Sequence, residues 1–490
     1  MPGQPEDTFD VIVIGAGPPG ENAAQYAIKG SDRTAALVER ELVGGECSYW
    51  ACVPSKALLR PVDVLDAARA LPGIRVDGLD PAAVLKRRDW FVGNQDDGSA
   101  KDDGSQVKWA NDNGVEVVRG HGRLAGARTV EVTSAGGATR TLQARRAVVV
   151  ATGSSAVIPP TPGLREALPW TSRDVTNLHE VPRRVVIIGG GVVACEAAVW
   201  LRGLGAEEVT VVVRGGGLLA RNEPFAGQLV ADRFAALGIR VLLRTSVDAV
   251  SRPAPAATGE GHVHGGPVEV TLGGGETVVA DEIVVAAGRV PNSRDVGLDT
   301  VGLQADGALH TDDHMAVTGV DGDWLYAVGD VTGRALLTHM GKYQARIAGW
   351  VIGALAEGRD VGGQRYRDIA DRDMVPQVAF TDPQVASVGL TEAAARAKGV
   401  DVETVDYELG NVSGAALQRD GYTGRARLVI DRAADTIVGA TFAGPDVAEL
   451  LHAATVAVVG RVPVATLWHA VPSFPTVSEI WLRLLESRAT

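Results

Sequence analysis

The sequence predicts an α/β protein with two parallel-sheet domains and a C-terminal α+β domain. Two β-branched runs each end at a glycine-rich turn that opens a helix of small residues, which is typical of buried parallel strands and their crossovers. From about Asp371 the pattern changes to alternating strands and helices, including Val385–Gly389 and Arg427–Ile430, which favours a separate domain. The length of 490 residues agrees with about three domains.

The first glycine-rich turn carries a dinucleotide fingerprint. Strand Asp10–Ile14 leads into Gly15-x-Gly17-x-x-Gly20, and the next strand ends at Glu39. The first two glycines allow a tight turn and close approach of a pyrophosphate, and the third lets the helix pack on the strand. The helix N-terminus offers unpaired N–H groups to the phosphates, and a carboxylate at the strand end can accept from ribose hydroxyls.

The same unit occurs a second time. Strand Arg184–Ile188 leads into Gly189-x-Gly191-x-x-Ala194 and a helix, followed by strand Glu208–Val213. One such fingerprint is weak evidence, but two, each between a strand and a helix, predict two Rossmann-like dinucleotide-binding domains.

Three further apolar runs stop at a glycine, as central strands do where their ends meet a ligand. They are Val148–Gly153, Ile283–Gly288 and Leu325–Asp330. Asp330 is either a ligand-binding carboxylate at the sheet edge or the N-cap of a following helix. A short, charged, glycine-rich stretch at 94–105 is predicted as an excursion. The stretch 252–264 is predicted as a long hairpin tip, whose two histidines are too few for a metal site.

Composition excludes several classes of function. The chain is 46% hydrophobic and 22% charged, and its formal net charge is −13, which disfavours nucleic acid and anionic membranes as partners. No apolar stretch reaches the ~20 residues of a membrane span, and the N-terminus is acidic where a signal peptide is basic. We therefore expect a cytoplasmic protein with no nucleic-acid or membrane partner.

Two of the three cysteines, Cys47 and Cys52, follow Glu39 closely. They form a redox pair, two inert core thiols or half of a zinc site. Zinc requires two more sulfur or imidazole ligands nearby, and this segment offers none, so the redox pair is favoured and no metal is expected.

With these motifs the chain resembles the flavoprotein pyridine nucleotide–disulfide oxidoreductases, which include dihydrolipoyl dehydrogenase, glutathione reductase and mercuric reductase. The resemblance covers nearly the whole chain and continues in Gly288–Asn292, Gly329–Asp330 and Pro475–Glu479. It implies a homodimeric enzyme with FAD and a nicotinamide cofactor. The domains that it implies are 1–155 (FAD-binding, first part), 156–286 (NAD(P)-binding), 287–368 (FAD-binding, second part) and 369–490 (C-terminal dimerisation).

The resemblance also implies the site residues. Cys52 is the sulfur next to the flavin, Cys47 exchanges with the substrate, and Lys56 pairs with Glu196 close to flavin N5. The residues implied for binding the two nucleotides are Gly15, Gly17, Gly20, Glu39, Arg40, Gly45, Lys56, Thr152, Gly153, Gly189, Gly191, Ala194, Arg214, Arg221, Gly288, Gly329 and Asp330.

The sequence departs from the family at the second nucleotide. Where NAD-preferring members end a strand in glutamate, this chain has Val213, followed by Arg214 and Arg221. A carboxylate repels a 2′-phosphate, whereas guanidinium groups bind one. We therefore expect NADPH to be preferred over NADH, the alternative being two solvated arginines.

A second departure removes a proton-transfer group. Disulfide-reducing members carry His-x-His-Pro-Thr-x-x-Glu near the C-terminus, and alignment on Pro475–Glu479 puts Phe474 at the position of the histidine base. Such a base typically contributes about 10²–10⁴-fold. Glu479 is a displaced base or a structural partner, and His469 is interpreted as an ordinary histidine.

Between the cysteines, Tyr49 and Trp50 either pack in the core or form an aromatic wall beside Cys47. The sequence predicts a flavoenzyme that passes electrons from NADPH through FAD and Cys52/Cys47 to a disulfide or related small substrate other than lipoamide or glutathione. A substrate with an acidic leaving thiol needs no acid catalyst. The alternatives are a quinone reductase acting directly from the flavin and a non-catalytic redox-sensing flavoprotein.

Overall fold

The computed structural model describes residues 7–94, 101–304 and 306–489, and the chain divides into two compact units. Unit 1 consists of Met1–Val53, Trp90–Ser155 and Arg289–Asp371. Unit 2 consists of Pro54–Asp89, Ala156–Gly288 and Arg372–Thr490. The division into four ligand-binding and dimerisation segments stays a prediction.

The elements follow one another in chain order. The first part of the chain contains β1 (Asp7–Ile14), α1 (Pro18–Ile28), β2 (Ala35–Glu39), α2 (Gly45–Tyr49), α3 (Cys52–Arg69), α4 (Pro81–Val92), α5 (Gly104–Asp112), β3 (Val115–Arg119), β4 (His121–Leu124), β5 (Thr129–Thr133), β6 (Thr139–Val150) and β7 (Ser154–Ala156). The second part contains α6 (Ser172–Thr176), β8 (Arg184–Ile188), α7 (Val192–Gly203), β9 (Glu208–Val213), α8 (Pro224–Ala236), β10 (Arg240–Leu243), β11 (Val247–Ser251), β12 (Val268–Leu272), β13 (Thr277–Ala280) and β14 (Glu282–Val285). The remainder contains β15 (Arg289–Pro291), β16 (Leu325–Ala327), α9 (Thr338–Ala356), β17 (Pro376–Ala379), β18 (Gln384–Gly389), α10 (Glu392–Ala397), β19 (Val402–Glu408), α11 (Ser413–Gln418), β20 (Arg425–Asp431), β21 (Thr436–Gly444), α12 (Leu451–Val459), α13 (Val464–Leu467) and α14 (Ile480–Ala489).

Unit 1 is built on a parallel sheet in the order β3-β2-β1-β6, with β16 parallel to β6. Val13 of β1 pairs with Leu37 on one side and Val149 on the other, and all three are buried. Residues of α1 and α9 cover one face, and Ile12 and Val148 on the other face are buried in a second cluster. Burial of both faces explains the continuous apolar runs of these strands. The sheet extends beyond β6 through antiparallel β5 and β4.

Unit 2 contains three sheets. A parallel sheet has the order β10-β9-β8-β14, and β11-β12-β13 form an antiparallel sheet. Because β11 and β12 pair antiparallel, the segment between them is a hairpin tip, as predicted. Five antiparallel strands in the order β17-β18-β21-β20-β19 pack with α12 and α14, so the predicted α/β class with a C-terminal α+β domain is confirmed.

The three glycine-terminated runs end as strands before their glycines. Strand β6 ends at Val150, β14 at Val285 and β16 at Ala327. The closing glycines have φ values of 71° at Gly153 and 78° at Gly329, which turn the chain out of the sheet. Of the predicted excursion, residues 95–100 lie outside the described residues. Among the helices that the structure describes, none combines the length and apolarity needed to cross a bilayer.

Candidate active site

The first glycine-rich turn, between β1 and α1, excludes side chains at two positions. Gly15 has a φ of 101°, and a Cβ there would lie 2.5 Å from the carbonyl oxygen of Ala151. A Cβ at Gly20 would lie 1.9 Å from the carbonyl oxygen of Gly15. Gly17 is the N-cap of α1, and a Cβ there would meet only Pro19 Cδ, at 3.9 Å. Because Pro18 and Pro19 open the helix and have no N–H group, the first N–H group of the helix is that of Gly20. This geometry fits a bound pyrophosphate.

Glu39 closes β2 beside this turn. Its carboxylate accepts hydrogen bonds from the backbone N–H groups of Ala16, at 2.8 Å, and Glu41, at 2.7 Å. Burial raises the pKa of Glu39. Together with Gly15, Arg40 and Thr152, Glu39 lines a cavity of about 250 Å³. A ribose acceptor and a pyrophosphate turn at one cavity suit the adenosine half of FAD.

Asp330 lies in a 3₁₀ turn, Gly329–Thr332, and accepts a hydrogen bond from Ser154 Oγ at 2.5 Å. Arg289 in turn donates to Ser154 Oγ at 2.7 Å, and burial raises the pKa of Asp330. The N-cap interpretation of Asp330 is wrong, because the next helix begins at Thr338 with Leu337 as its N-cap. A half-buried carboxylate within this polar cluster is a fitting acceptor for the hydroxyls of FAD.

The cysteine segment, Gly45–Cys52, begins in contact with the first glycine-rich turn. Gly45 has a φ of 57°, and a Cβ there would lie 2.8 Å from Gly17 Cα. Cys47 lies in α2 and Cys52 opens α3; both are free thiols, and the two side chains are hydrogen-bonded to each other. Cys52 is exposed and Cys47 is half-buried. The structure therefore brings the two thiols together beside this turn.

The two sulfurs are not equivalent. The hydrogen bond with Cys52, followed by burial, raises the pKa of Cys47. Thr338 Oγ1 lies 3.4 Å from Cys52 Sγ, and both the Thr338 hydroxyl and the Lys342 ammonium lower the pKa of Cys47. Sequence reasoning missed these two α9 residues, because Thr338 is 286 positions from Cys52 and belongs to no recognised motif.

The aromatic residues between the cysteines are buried. Tyr49 and Trp50 cluster with Val92, and the Tyr49 hydroxyl donates to the carbonyl oxygen of Val43 at 3.0 Å. Lys101 lies over the Trp50 ring, 5.1 Å from its centroid. This burial favours the core-packing alternative over an aromatic wall.

The structure also brings Lys56 and Glu196 together. Lys56 Nζ lies 2.7 Å from Glu196 Oε2, and the other carboxylate oxygen accepts from the backbone N–H of Phe380 at 2.9 Å. Glu196 is buried, and the Phe380 ring lies 4.8 Å from Lys56 Nζ. The carboxylate is therefore held in one orientation by two donors.

The second glycine-rich turn, between β8 and α7, begins like the first with a positive-φ glycine in close approach to a carbonyl oxygen. Gly189 has a φ of 134°, and a Cβ there would lie 2.3 Å from the carbonyl oxygen of Ala286. Gly191 is the N-cap of α7 and faces open space, and Ala194 is fully buried in that helix. Gly288, which follows the neighbouring strand β14, has a φ of 125°. A second dinucleotide fits this turn.

Strand β9 ends at Val213, whose side chain packs against the second turn. A Cβ at Gly190 would lie 2.7 Å from Val213 Cγ1. Arg214 and Arg221 follow in an exposed loop, and neither has a hydrogen bond or ion pair within the described part of the chain. Both guanidinium groups are available to an anion.

The third cysteine, Cys195, is fully buried in α7 and donates weakly to the carbonyl oxygen of Gly190, with Sγ and oxygen 3.7 Å apart. Burial raises its pKa to about 12, so this thiol is inert near neutral pH.

The C-terminal segment places a phenyl ring in solvent. Phe474 is 73% exposed, and His469 is also exposed. Glu479 is buried and accepts from Arg483 Nη2 at 2.5 Å. Its other carboxylate oxygen has no hydrogen-bond partner among the residues that the structure describes. The Arg483 contact favours a structural partner over a displaced base.

Comparison with family models matches most of the chain. Residues 9–348 match the model of the pyridine nucleotide-disulphide oxidoreductases, and residues 375–484 match the dimerisation domain of the same proteins.

Curated relatives match along nearly the whole chain. Dihydrolipoyl dehydrogenase of Chlamydia muridarum is 31% identical over 483 residues, covering 97% of this chain and 96% of that protein. Glutathione reductase of Burkholderia cepacia is 31% identical over 482 residues, covering 98% and 99%. Mercuric reductase of Bacillus cereus is 28% identical and covers 96% of this chain and 70% of its own length.

Two solved structures share the fold. LpdA from Mycobacterium tuberculosis is similar with a TM-score of 0.81 at 24% identity, covering 98% of this chain and 99% of that one. The HOCl-induced flavoprotein disulfide reductase RclA from Escherichia coli is similar with a TM-score of 0.77 at 22% identity, with the same coverage.

Proposed function

Because the chain belongs to the pyridine nucleotide-disulphide oxidoreductase family, whose members use FAD and NAD(P)H, we propose that it is a homodimeric, NADPH-dependent reductase of a disulfide or related small substrate. The observation that carries this proposal is the contact between the thiols of Cys47 and Cys52 beside a turn that fits a pyrophosphate. Dimerisation is supported by the match of residues 375–484 to a dimerisation domain.

The first unit holds the flavin nucleotide in this proposal. Gly15, Gly17 and Gly20 admit the pyrophosphate, Glu39 accepts from the adenosine ribose, and Asp330 accepts from the remaining hydroxyls. When bound, FAD supplies the coupling between hydride uptake from NADPH and two-electron reduction of the cysteine disulfide.

The dithiol performs the exchange. The Cys47 thiolate attacks one sulfur of the substrate disulfide, which forms a mixed disulfide and releases the first thiolate. The Cys52 thiolate then attacks the Cys47 sulfur, which re-forms the Cys47–Cys52 disulfide and releases the second.

The missing histidine restricts the substrate. With Phe474 at the position of the base, no side chain there protonates a departing thiolate. Thiols of low pKa leave as thiolates without an acid. We therefore propose a disulfide whose leaving thiol is acidic.

NADPH preference is proposed from the end of β9. Val213 removes the carboxylate that would repel a 2′-phosphate, and Arg214 and Arg221 supply guanidinium donors with no partner among the described residues. The test compares kcat/KM for NADPH and NADH before and after Arg214→Ala. An unchanged ratio contradicts this assignment.

Cys47→Ser and Cys52→Ser test the thiol route. Each variant is assayed for NADPH-dependent reduction of an aromatic disulfide and of a quinone, with Cys195→Ala as the control for loss of a thiol. The proposal predicts loss of disulfide reduction in both serine variants and retention in the control. Full disulfide reduction without Cys47 and Cys52 contradicts it, and quinone turnover as the only activity of the wild type identifies a reductase acting directly from the flavin.

A further inference from the structure

The segment after β10 folds back onto the loop that follows β9. Arg244 has a φ of 52°, a left-handed backbone conformation that non-glycine residues rarely adopt. The backbone N–H of Arg244 donates to the carbonyl oxygen of Gly215 at 2.9 Å. The backbone N–H of Thr245 donates to the carbonyl oxygen of Val213 at 3.1 Å. These two bonds fix Arg244 beside the loop that begins at Arg214.

The Arg244 guanidinium lies on that loop. A Cβ at Gly216 would come within 3.3 Å of Arg244 Nη2 and within 3.7 Å of its Cζ. The run Gly215–Gly217 leaves this surface without side chains, so the planar guanidinium packs directly on backbone. Arg244 is exposed, so its guanidinium is accessible from solvent.

Arg244 has no side-chain hydrogen bond or ion pair within the part of the chain that the structure describes. Arg214 and Arg221 share this property. By contrast, Arg240 at the other end of β10 donates to Glu276 at 2.8 Å. The loop after β9 and the segment hydrogen-bonded to it therefore carry three guanidinium groups without a side-chain partner among the described residues.

This loop region belongs to the second glycine-rich turn. The N–H of Leu219 donates to the carbonyl oxygen of Gly190 at 2.8 Å, and Val213 packs against Gly190. The strand end at this place is where a dinucleotide fold distinguishes a ribose 2′-hydroxyl from a 2′-phosphate. A phosphate monoester carries a charge of about −1.5 to −2 near pH 7 and three acceptor oxygens, which suits several guanidinium donors.

We infer that Arg244 is a specificity-determining residue that joins Arg214 and Arg221 in binding the 2′-phosphate of NADPH. This inference rests on the proposed NADPH preference and extends it to a residue in no recognised motif. The left-handed backbone at Arg244 and the glycine run opposite it serve to hold the third guanidinium at the phosphate.

The test measures binding of 2′,5′-ADP and 5′-AMP to the purified holoenzyme by calorimetry. Arg244→Asn removes the charge with a residue that tolerates the left-handed backbone, Arg244→Lys keeps the charge without the fork, and Arg240→Asn is the matched control. We expect Arg244→Asn to weaken 2′,5′-ADP binding about tenfold, Arg244→Lys to weaken it less, and 5′-AMP binding to change less than about twofold. The control should leave both affinities unchanged.

The outcomes separate the two claims. If Arg214→Ala weakens 2′,5′-ADP binding but both Arg244 variants bind it as the wild type does, the inference is overturned and the NADPH preference stands. If the wild type binds 2′,5′-ADP and 5′-AMP equally, the NADPH preference itself fails and the inference fails with it. Equal weakening of both ligands by Arg244→Asn also overturns the inference, because it indicates a structural role.

Discussion

The cysteine segment (Gly45–Cys52) and the C-terminal segment (Phe474–Glu479) differ in their means of proton transfer. In the cysteine segment two thiols share a hydrogen bond, and Thr338 and Lys342 lower the pKa of Cys47. In the C-terminal segment a phenyl ring is exposed and Glu479 is held by Arg483. Under the proposed function, the difference teaches that electron-transfer groups can be kept while the acid–base group at position 474 is replaced, which shifts the demand for proton control to the substrate.

The largest expected effect concerns the substrate's leaving thiol. If the C-terminal segment supplies no acid, the pKa of the leaving thiol should control the rate. An aromatic disulfide whose leaving thiol has a pKa well below the ~8.5 of cysteine should be reduced faster than an aliphatic disulfide. We expect kcat/KM to differ by about 10²–10⁴-fold, the usual contribution of a general acid. Steady-state assays with a series of symmetric disulfides measure this, and equal rates across the series show that another group supplies the proton.

Phe474→His restores an imidazole to the C-terminal segment. Because Phe474 is 73% exposed, the substitution should cost little stability. We expect reduction of the aliphatic disulfide to rise by about 10–100-fold, with little change for the aromatic one. Phe474→Leu is the control for altered shape; a similar gain in that variant removes the acid–base explanation.

Glu21 of α1 is a titratable carboxylate near the cysteine segment. It is 9% exposed, and burial raises its pKa from 4.5 to about 7, opposed by Lys342. Between pH 4.5 and 7 the unfolded chain ionises Glu21 while the folded protein keeps it protonated, so stability falls as pH rises through this window and stays lower above it.

Glu21→Gln removes the free-energy cost of ionising a buried carboxylate at this position. We expect the variant to be more stable than the wild type by about 2 kcal/mol at pH 8 and equally stable at pH 4. Urea unfolding at the two pH values measures the difference. A destabilised variant at pH 8 shows that the ionised carboxylate is paired in the folded protein.

The smallest expected effect is that of Thr338→Val, which removes the hydroxyl beside both thiols. Since that hydroxyl lowers the pKa of Cys47, the pH–rate profile should move to higher pH, with a loss of about three- to tenfold at pH 7. Thr338→Ser keeps a hydroxyl and should behave as the wild type does. An unshifted profile for the valine variant removes Thr338 from control of the thiols.

The fold and part of the site could be predicted because their signals are local in sequence. Gly20 is required by a backbone approach within its own turn. Gly15 and Gly189 are identified by the spacing of their fingerprints, although the backbone that they approach, at Ala151 and Ala286, is distant in sequence. The cysteine pair and Glu39 follow the first glycine-rich turn within a short stretch of chain. Periodicity and glycine spacing carry such information directly.

Other parts of the site could not be predicted because distant elements create them. Thr338 contacts Cys52 only once α9 has packed in unit 1. Arg244 contacts the loop after β9 through a left-handed backbone conformation that the sequence does not predict. For Asp330, the sequence allowed both a ligand role and an N-cap. The structure excludes the N-cap, because α9 starts only at Thr338.

The central claim is that the two thiols exchange electrons with bound FAD, and anaerobic NADPH titration tests it most directly. The wild-type holoenzyme should take up one more equivalent of NADPH per subunit than the Cys47→Ser/Cys52→Ser double variant, and it should develop a long-wavelength thiolate–flavin absorption band that the double variant lacks. Equal uptake by the two proteins, with no such band in the wild type, would contradict the account.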